Sequence, residues 1–216
     1  KKKYSAIKNS NCFIKYNNDI KITEKISSIC DARVIWGGDN AINEIRKIWI
    51  PERAIDITFS DRYSLSIINL NQLKKEKKSN IQSLVKKFYY DGYTMNQSAC
   101  NSPHFIIWVG KKNTELQNEF WNLLNKIVEK KFIFDDIHVV DKYSNLIENN
   151  IINKNINLKK NFDNNIYILE ADKHVEQIEN VRGVNGTFFQ KNINHLNELK
   201  KLITKKCQTV TYYGFQ

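Results

Sequence analysis

The chain has 216 residues, 41% of them hydrophobic, and a formal charge of +11 at pH 7. That length supports one sizeable core, or one domain with part of another, and no run approaches the roughly 20 apolar residues of a membrane span. The Lys1-Lys2-Lys3 start leads into polar sequence with no apolar stretch behind it, so no export signal is read and a cytoplasmic location is expected.

Cys12, Cys30, Cys100 and Cys207 lie far apart with no CxxC pair, so neither a zinc site nor a disulfide framework is signalled. The positive excess is lysine-rich and scattered. This reads as solvated lysines on a bias toward Asn, Ile and Lys, and no nucleic-acid partner is expected. A noncatalytic α/β module with a basic, polyanion-binding surface stays as the rival from a different class.

Strand and helix signals alternate along the chain, the pattern of an α/β protein with a largely parallel sheet. Cys12 to Tyr16 is a short β-prone run. A helix follows with Thr23 as its cap and Ile26 and Ile29 on one face, and Arg33 to Trp36 reads as a buried strand stopped by Gly37-Gly38. Asp39 is placed as the N-cap of a helix carrying Ile42, Ile45 and Ile48, bounded by Pro51. Two β-prone segments, Ala54 to Phe59 and Ser64 to Leu70, precede an exposed lysine-rich loop from Lys74 to Lys78. Ser79 to Gln82 has the form of a capping box, opening a helix that buries Ile81, Leu84, Val85, Phe88 and Tyr89.

Phe105 to Val109 is a strand ended by Gly110, and Thr114 to Gln117 is a second capping box. Its helix turns Leu116, Phe120, Leu123, Leu124, Ile127 and Val128 inward. Asn145 to Asn165, rich in Asn and Lys, is read as an irregular solvent-facing connection. Strands at Ile166 to Leu169 and Thr187 to Gln190, a helix around Leu196 to Ile203 and a strand from Thr209 to Tyr213 complete the series. The chain begins on strand-like sequence and stops directly after a strand, as an excised piece of a longer protein would.

Two segments draw the chemistry. Cys100 lies in Asp91-Gly92-Tyr93-Thr94-Met95-Asn96-Gln97-Ser98-Ala99-Cys100-Asn101-Ser102-Pro103, a polar turn of small residues between a helix and a buried strand. Such a turn presents a thiol at the end of a sheet, with backbone N–H groups pointing at whatever is bonded to it. A lone cysteine is commonly an inert, buried small hydrophobe, and only this polar context raises Cys100 above the other three. Gly37-Gly38-Asp39 is a strand-to-helix turn in which glycines let a ligand approach the backbone. It lacks the G-x-G-x-x-G spacing of a dinucleotide fingerprint, and a plain tight connection is its default reading.

Four ordered segments then bring a family into view. Cys30-Asp31-Ala32-Arg33-Val34-Ile35-Trp36-Gly37-Gly38-Asp39, Asp61-Arg62-Tyr63-Ser64-Leu65, Gln97-Ser98-Ala99-Cys100-Asn101-Ser102-Pro103 and Cys207-Gln208-Thr209-Val210-Thr211-Tyr212-Tyr213-Gly214 closely resemble the bacterial long-chain acyl-CoA reductases of the LuxC family. These are the fatty-acid reductase subunits of bacterial luminescence, within the aldehyde dehydrogenase superfamily. The resemblance implies an aldehyde dehydrogenase-like α/β fold. Residues 1–58 would be the C-terminal part of a cofactor-binding domain and residues 59–216 the thiol-bearing catalytic domain.

It also implies NADPH-dependent reduction of a long-chain fatty acyl-CoA to the aldehyde through a covalent acyl-cysteine at Cys100, with the Cys100 N–H as one oxyanion donor. Trp36, Gly37, Gly38 and Asp39 match the family segment near the nicotinamide, and the loop containing Arg182 and Gly183 corresponds loosely to the one that touches the cofactor ribose, with a simple glycine-bracketed turn into a strand as the alternative reading. Phe59 falls where aldehyde-oxidising relatives carry the glutamate that activates hydrolytic water. An apolar residue there removes that base and favours reduction over oxidation. An acyl-protein synthetase partner and a homo-oligomer of the full-length protein are implied in the same way. Most of the dinucleotide-binding sheet and the superfamily's side-chain oxyanion asparagine have no counterpart in this chain, so it is expected to bind NADPH poorly by itself. His104 is a weak candidate base because the strand should carry it away from the thiol, and His138, His174 and His195 are assigned surface or packing roles.

Overall fold

The computed structural model describes residues 4–152, 156–171 and 178–215. The chain divides into two compact units, residues 1–61 and 62–216.

In the first unit, the apolar run Ala32–Trp36 forms β1 and pairs in parallel with β2, Ile55–Phe59, from Ala32 opposite Ile55 to Trp36 opposite Phe59. Arg33 and Asp56 are direct cross-strand partners. Their side chains make a bidentate ion pair, Nε to Oδ1 and Nη2 to Oδ2, both at 2.8 Å. This hydrogen bonding lowers the Asp56 pKa and raises that of Arg33. Arg33 Nη1 also donates to Ser27 Oγ and the Ile48 carbonyl, so one guanidinium ties both flanking segments to the strand.

Three helices accompany this pair: α1, Ser5–Ser10; α2, Ile20–Ser27; and α3, Asp39–Arg46. The cap of α2 is Asp19, whose carboxylate accepts from the Lys21 N–H, and not Thr23, which lies inside the helix and donates to the Asp19 carbonyl. Gly38 occupies the N-cap of α3, which leaves Asp39 in the first turn, where its charge suits the helix dipole. Cys12 to Tyr16 is not a strand. The segment is exposed, and among the described residues no strand lies beside it to satisfy its backbone.

The second unit is a six-stranded sheet of order β5-β6-β7-β4-β3-β8. Its strands are β3, Tyr63–Asn69; β4, Pro103–Val109; β5, Ile156–Phe162; β6, Ile166–Ala171; β7, Thr187–Ile193; and β8, Cys207–Tyr213. Every pairing is parallel except the β5–β6 hairpin. The helices are α4, Leu70–Leu73; α5, Lys78–Tyr93; α6, Thr114–Lys131; and α7, Asp136–Ile152, with short 3-10 turns at Ile178–Asn180 and Leu196–Lys201.

Strand residues alternate between the two faces. Ile106, Trp108, Ile166, Ile168 and Phe188 join α5 and α6 in one core, and Phe105, Ile107, Val109, Tyr167, Leu169 and Phe189 join Ile178, Val181, Leu199 and Leu202 in the other. The central strands are buried on both sides, hence their unbroken apolar runs. The expected capping boxes are displaced. Asn113, one residue before Thr114, caps α6 by accepting from the Leu116 N–H, and α5 starts at Lys78 after Lys77 with no side-chain cap.

The stretch from Asn145 to Asn165 is a correction. It holds the second half of α7 and all of β5. The buried face of α7 is polar: Lys142 Nζ donates to the carbonyls of Asn164 and Asn165 at 2.7 and 2.9 Å, and Asn149 donates to the Arg182 carbonyl at 3.3 Å. The apolar stripe of this helix faces outward and its anchors are Lys and Asn, so the usual sign of a packed helix, an inward apolar stripe, is missing.

Candidate active site

The segment between α5 and β4 brings Cys100 to the amino end of a central parallel strand. Asn96 and Gln97 both adopt left-handed backbone, φ 50° and 62°. Asn tolerates this; for Gln it costs on the order of 1 kcal/mol. Hydrogen bonds from Ser98 N to Met95 O and from Ser102 N to Ala99 O, at 2.8 and 2.9 Å, close two successive turns around the cysteine.

Three buried side chains pin this segment. Ser64 Oγ on β3 donates to the Cys100 carbonyl at 2.6 Å, and Ser102 Oγ donates to the Asp91 carbonyl at 2.7 Å. Gln97, only 1% exposed, donates through Nε2 to the carbonyls of Pro103 and Thr187 at 3.2 and 2.9 Å and accepts from the Gly186 N–H at 3.0 Å. The Cys100 thiol is free and exposed. Among the described residues no group accepts from its backbone N–H, which leaves that donor available to an oxyanion.

Gln97 fastens the cysteine turn to the loop before β7. That loop demands glycine twice. A Cβ on Gly183 would lie 1.8 Å from the Thr187 carbonyl oxygen, and Gly186, at φ 89°, has the Asn165 carbonyl oxygen 2.6 Å from the corresponding point. His104 Nδ1 sits 2.8 Å from the Gly183 carbonyl, which ties the histidine to the loop. The Arg182 guanidinium lies over the Tyr63 ring, 5.3 Å from its centroid. His195 begins the second 3-10 turn in a capping box with Glu198; His174 is outside the described residues.

Beside the turn, Asn96 and Ser98, the α7 residues His138, Asp141, Ser144, Asn145 and Glu148, and Val184 and Asn185 enclose a cleft of about 470 Å³. The Asn96 side-chain nitrogen is 3.2 Å from His138 Nε2, and Asn185 Nδ2 donates to the His138 carbonyl at 3.3 Å. His138 Nδ1 and Asn145 Oδ1 are buried and have no hydrogen-bond partner among the described residues. His138 thus forms part of the cleft wall beside the cysteine turn. Sequence reasoning missed the cleft because it assigns no element to the first half of α7 and reads Asn145 onward as an irregular connection, and it missed Gln97 because the partner at Thr187 lies 90 residues away.

In the first unit, Trp36 ends β1 with 80% of its surface exposed and packs against the Phe59 ring, tilted by 31° with centroids 5.5 Å apart. The Gly37 N–H donates to the Phe59 carbonyl at 3.4 Å, and Gly38 and Asp39 open α3. Among the described residues no His, Cys, Asp and Glu cluster could hold a metal ion, and no helix is long and apolar enough to cross a membrane.

Solved structures with the same architecture include the betaine aldehyde dehydrogenase of Staphylococcus aureus in complex with NAD+, with a TM-score of 0.57 and 12% identity over 90% of this chain and 46% of that one. A NAD-dependent benzaldehyde dehydrogenase from Corynebacterium glutamicum gives a TM-score of 0.56 at 6% identity, covering 89% of this chain and 49% of that one. An NADP-dependent enzyme of E. coli gives 0.57 at 7% identity, covering 88% and 47%. At these identities the likeness establishes the fold alone, that of the aldehyde dehydrogenases, and this chain spans about half the length of each. No curated protein matches. The model of the acyl-CoA reductase (LuxC) family matches residues 12–180, most of the chain and the whole segment bearing Cys100, and the chain therefore belongs to the LuxC acyl-CoA reductase family.

Proposed function

We propose that this chain carries the acyl-accepting half of an NADPH-dependent reductase that converts long-chain fatty acyl-CoA to fatty aldehyde, with Cys100 as nucleophile. The observation that supports this best is an exposed thiol on a turn pinned by Ser64, Gln97 and Ser102, with its own N–H unengaged. The Cys100 thiolate attacks the acyl carbonyl carbon, and the Cys100 N–H stabilises the developing oxyanion. Collapse breaks the carbon–sulfur bond to coenzyme A, which leaves as a thiolate and takes a proton from solvent. The acyl group is then held as a thioester on Cys100.

A bound reduced nicotinamide dinucleotide supplies the hydride that takes this thioester to the aldehyde. The cleft beside the turn fits the ribose portion of such a cofactor. The Asp141 and Glu148 carboxylates on that cleft suit the hydroxyls of the nicotinamide ribose as donors. Trp36, Gly37, Gly38, Asp39, Arg182 and Gly183 are assigned to cofactor contact on the family resemblance, for Arg182 through the backbone of its loop. On the family resemblance Phe59 stands where aldehyde-oxidising relatives carry the hydrolytic base, so that position offers no carboxylate to activate water, which favours reduction over aldehyde oxidation. In the whole protein, which we place in the cytoplasm as a homo-oligomer, an acyl-protein synthetase delivers the acyl group.

Intact mass spectrometry after incubation with a long-chain acyl-CoA tests the reading. One added acyl mass is expected, absent from Cys100→Ala. Equal labelling of that variant would remove Cys100 from its role.

A further inference from the structure

We infer that Gln97 is the positioning residue of the acyl-transfer site, holding the Cys100 N–H and thiol in register by clamping their turn to the Gly183–Thr187 loop. This rests on the reading of Cys100 as acyl acceptor. The amide is fully employed: both donor contacts go to backbone carbonyls, at Pro103 on the cysteine side and Thr187 on the loop side, and the oxygen takes the Gly186 N–H. The side chain is buried and its residue sits in left-handed backbone. A glutamine is held in a conformation that disfavours it, three residues before the thiol, where its amide reaches both segments.

No other side chain described in the turn bridges these two segments. Ser64 ties the Cys100 carbonyl to β3, and Ser102 ties the turn back to α5. Removing Gln97 therefore leaves the thiol exposed and the turn attached to its neighbours, but releases the rotation that aims the Cys100 N–H. Alkylation by iodoacetamide needs only an accessible thiolate. Acylation needs the thiolate and the oxyanion donor aligned on one carbonyl.

The test compares these two reactions at Cys100 in wild type, Gln97→Ala and Gln97→Glu, with alkylation of the exposed Cys12 as internal reference. The acyl probe is p-nitrophenyl acetate: the thiolate takes the acetyl group and p-nitrophenolate leaves, read as a burst with one acetyl mass at Cys100. Gln97→Ala should lose roughly 10²-fold in acylation rate while the Cys100-to-Cys12 alkylation ratio is unchanged. Gln97→Glu presents a carboxylate to two carbonyls, so its acylation rate, taken relative to wild type at the same pH, should match Gln97→Ala at alkaline pH and rise toward the wild-type value at about pH 5, where the protonated acid donates to one of them again.

Wild-type acylation rates in both variants would overturn the assignment. So would parallel loss of alkylation and acylation without recovery at low pH, which marks a merely structural role. A long-chain acyl-CoA control separates the two readings. If the ester acylates Cys100 and acyl-CoA does not, the substrate class fails while the Gln97 result stands; if neither does, both fall.

Discussion

Gly183 shows how much a single residue decides at this site. The methyl of an alanine there would meet the Thr187 carbonyl oxygen at 1.8 Å and its carbon at 2.8 Å, and Gln97 Nε2 at 3.4 Å. Neither backbone atom can move without unpairing the start of β7. Gly183→Ala is expected to cost about 3 kcal/mol in urea unfolding, at the upper end of overpacking penalties, and to disturb the Gln97 clamp with it; an unchanged midpoint would contradict the close approach. The sequence showed the cysteine turn as polar and helix-to-strand, which is what the structure contains. It could not show the clamp, because a Gln among Asn and Ser is indistinguishable from a solvated residue until its contact 90 positions away is known.

Among the elements, α7 departs furthest from sequence expectation, since its buried and exposed faces are inverted. Ile137 and Ile151 are 60% and 71% exposed, with Val140, Tyr143 and Ile147 on the same outward stripe, while Lys142 is fully buried. Hydrophobic periodicity assumes that the apolar face points inward; here the buried Lys142 and Asn149 meet carbonyls, with Leu146 packed against the second core. The Lys142 ammonium is also held over the rings of Phe134 and Tyr167, at 5.0 and 4.5 Å. Burial nevertheless pulls its pKa down from 10.5 to about 7.

The sign of the consequence follows. Between pH 7 and 10.5 the unfolded chain binds the proton that the folded chain has released, so this lysine makes stability rise with pH across that window, by up to about 1.4 kcal/mol per pH unit. Below pH 7 both states are protonated and the contribution is flat. Urea midpoints of wild type and Lys142→Met should therefore diverge as pH rises, the wild type gaining relative to the variant. Parallel pH profiles would mean that the ammonium stays charged in the fold.

For the whole molecule, alternating strand and helix signals were enough to indicate a largely parallel α/β sheet. Strand order was not legible: β3 lies between β4 and β8, and no local pattern shows that Tyr63–Asn69 meets Cys207–Tyr213 across the intervening sequence. The two units differ sharply in what they bury. Among the described residues of the first, only Ile35 and Ile42 are buried apolar side chains, whereas the second contains both cores. A two-stranded sheet with so little interior is marginal in water, so the first unit of this chain should open well before the second. Limited trypsin digestion in urea below the main transition is expected to cut within residues 1–61 first and to leave a resistant fragment from Arg62 onward. The fluorescence of buried Trp108 and Trp121 should persist in that fragment. First cuts inside α5 or α6 would show that stability is shared across the chain and that the six-stranded sheet is not its independent core.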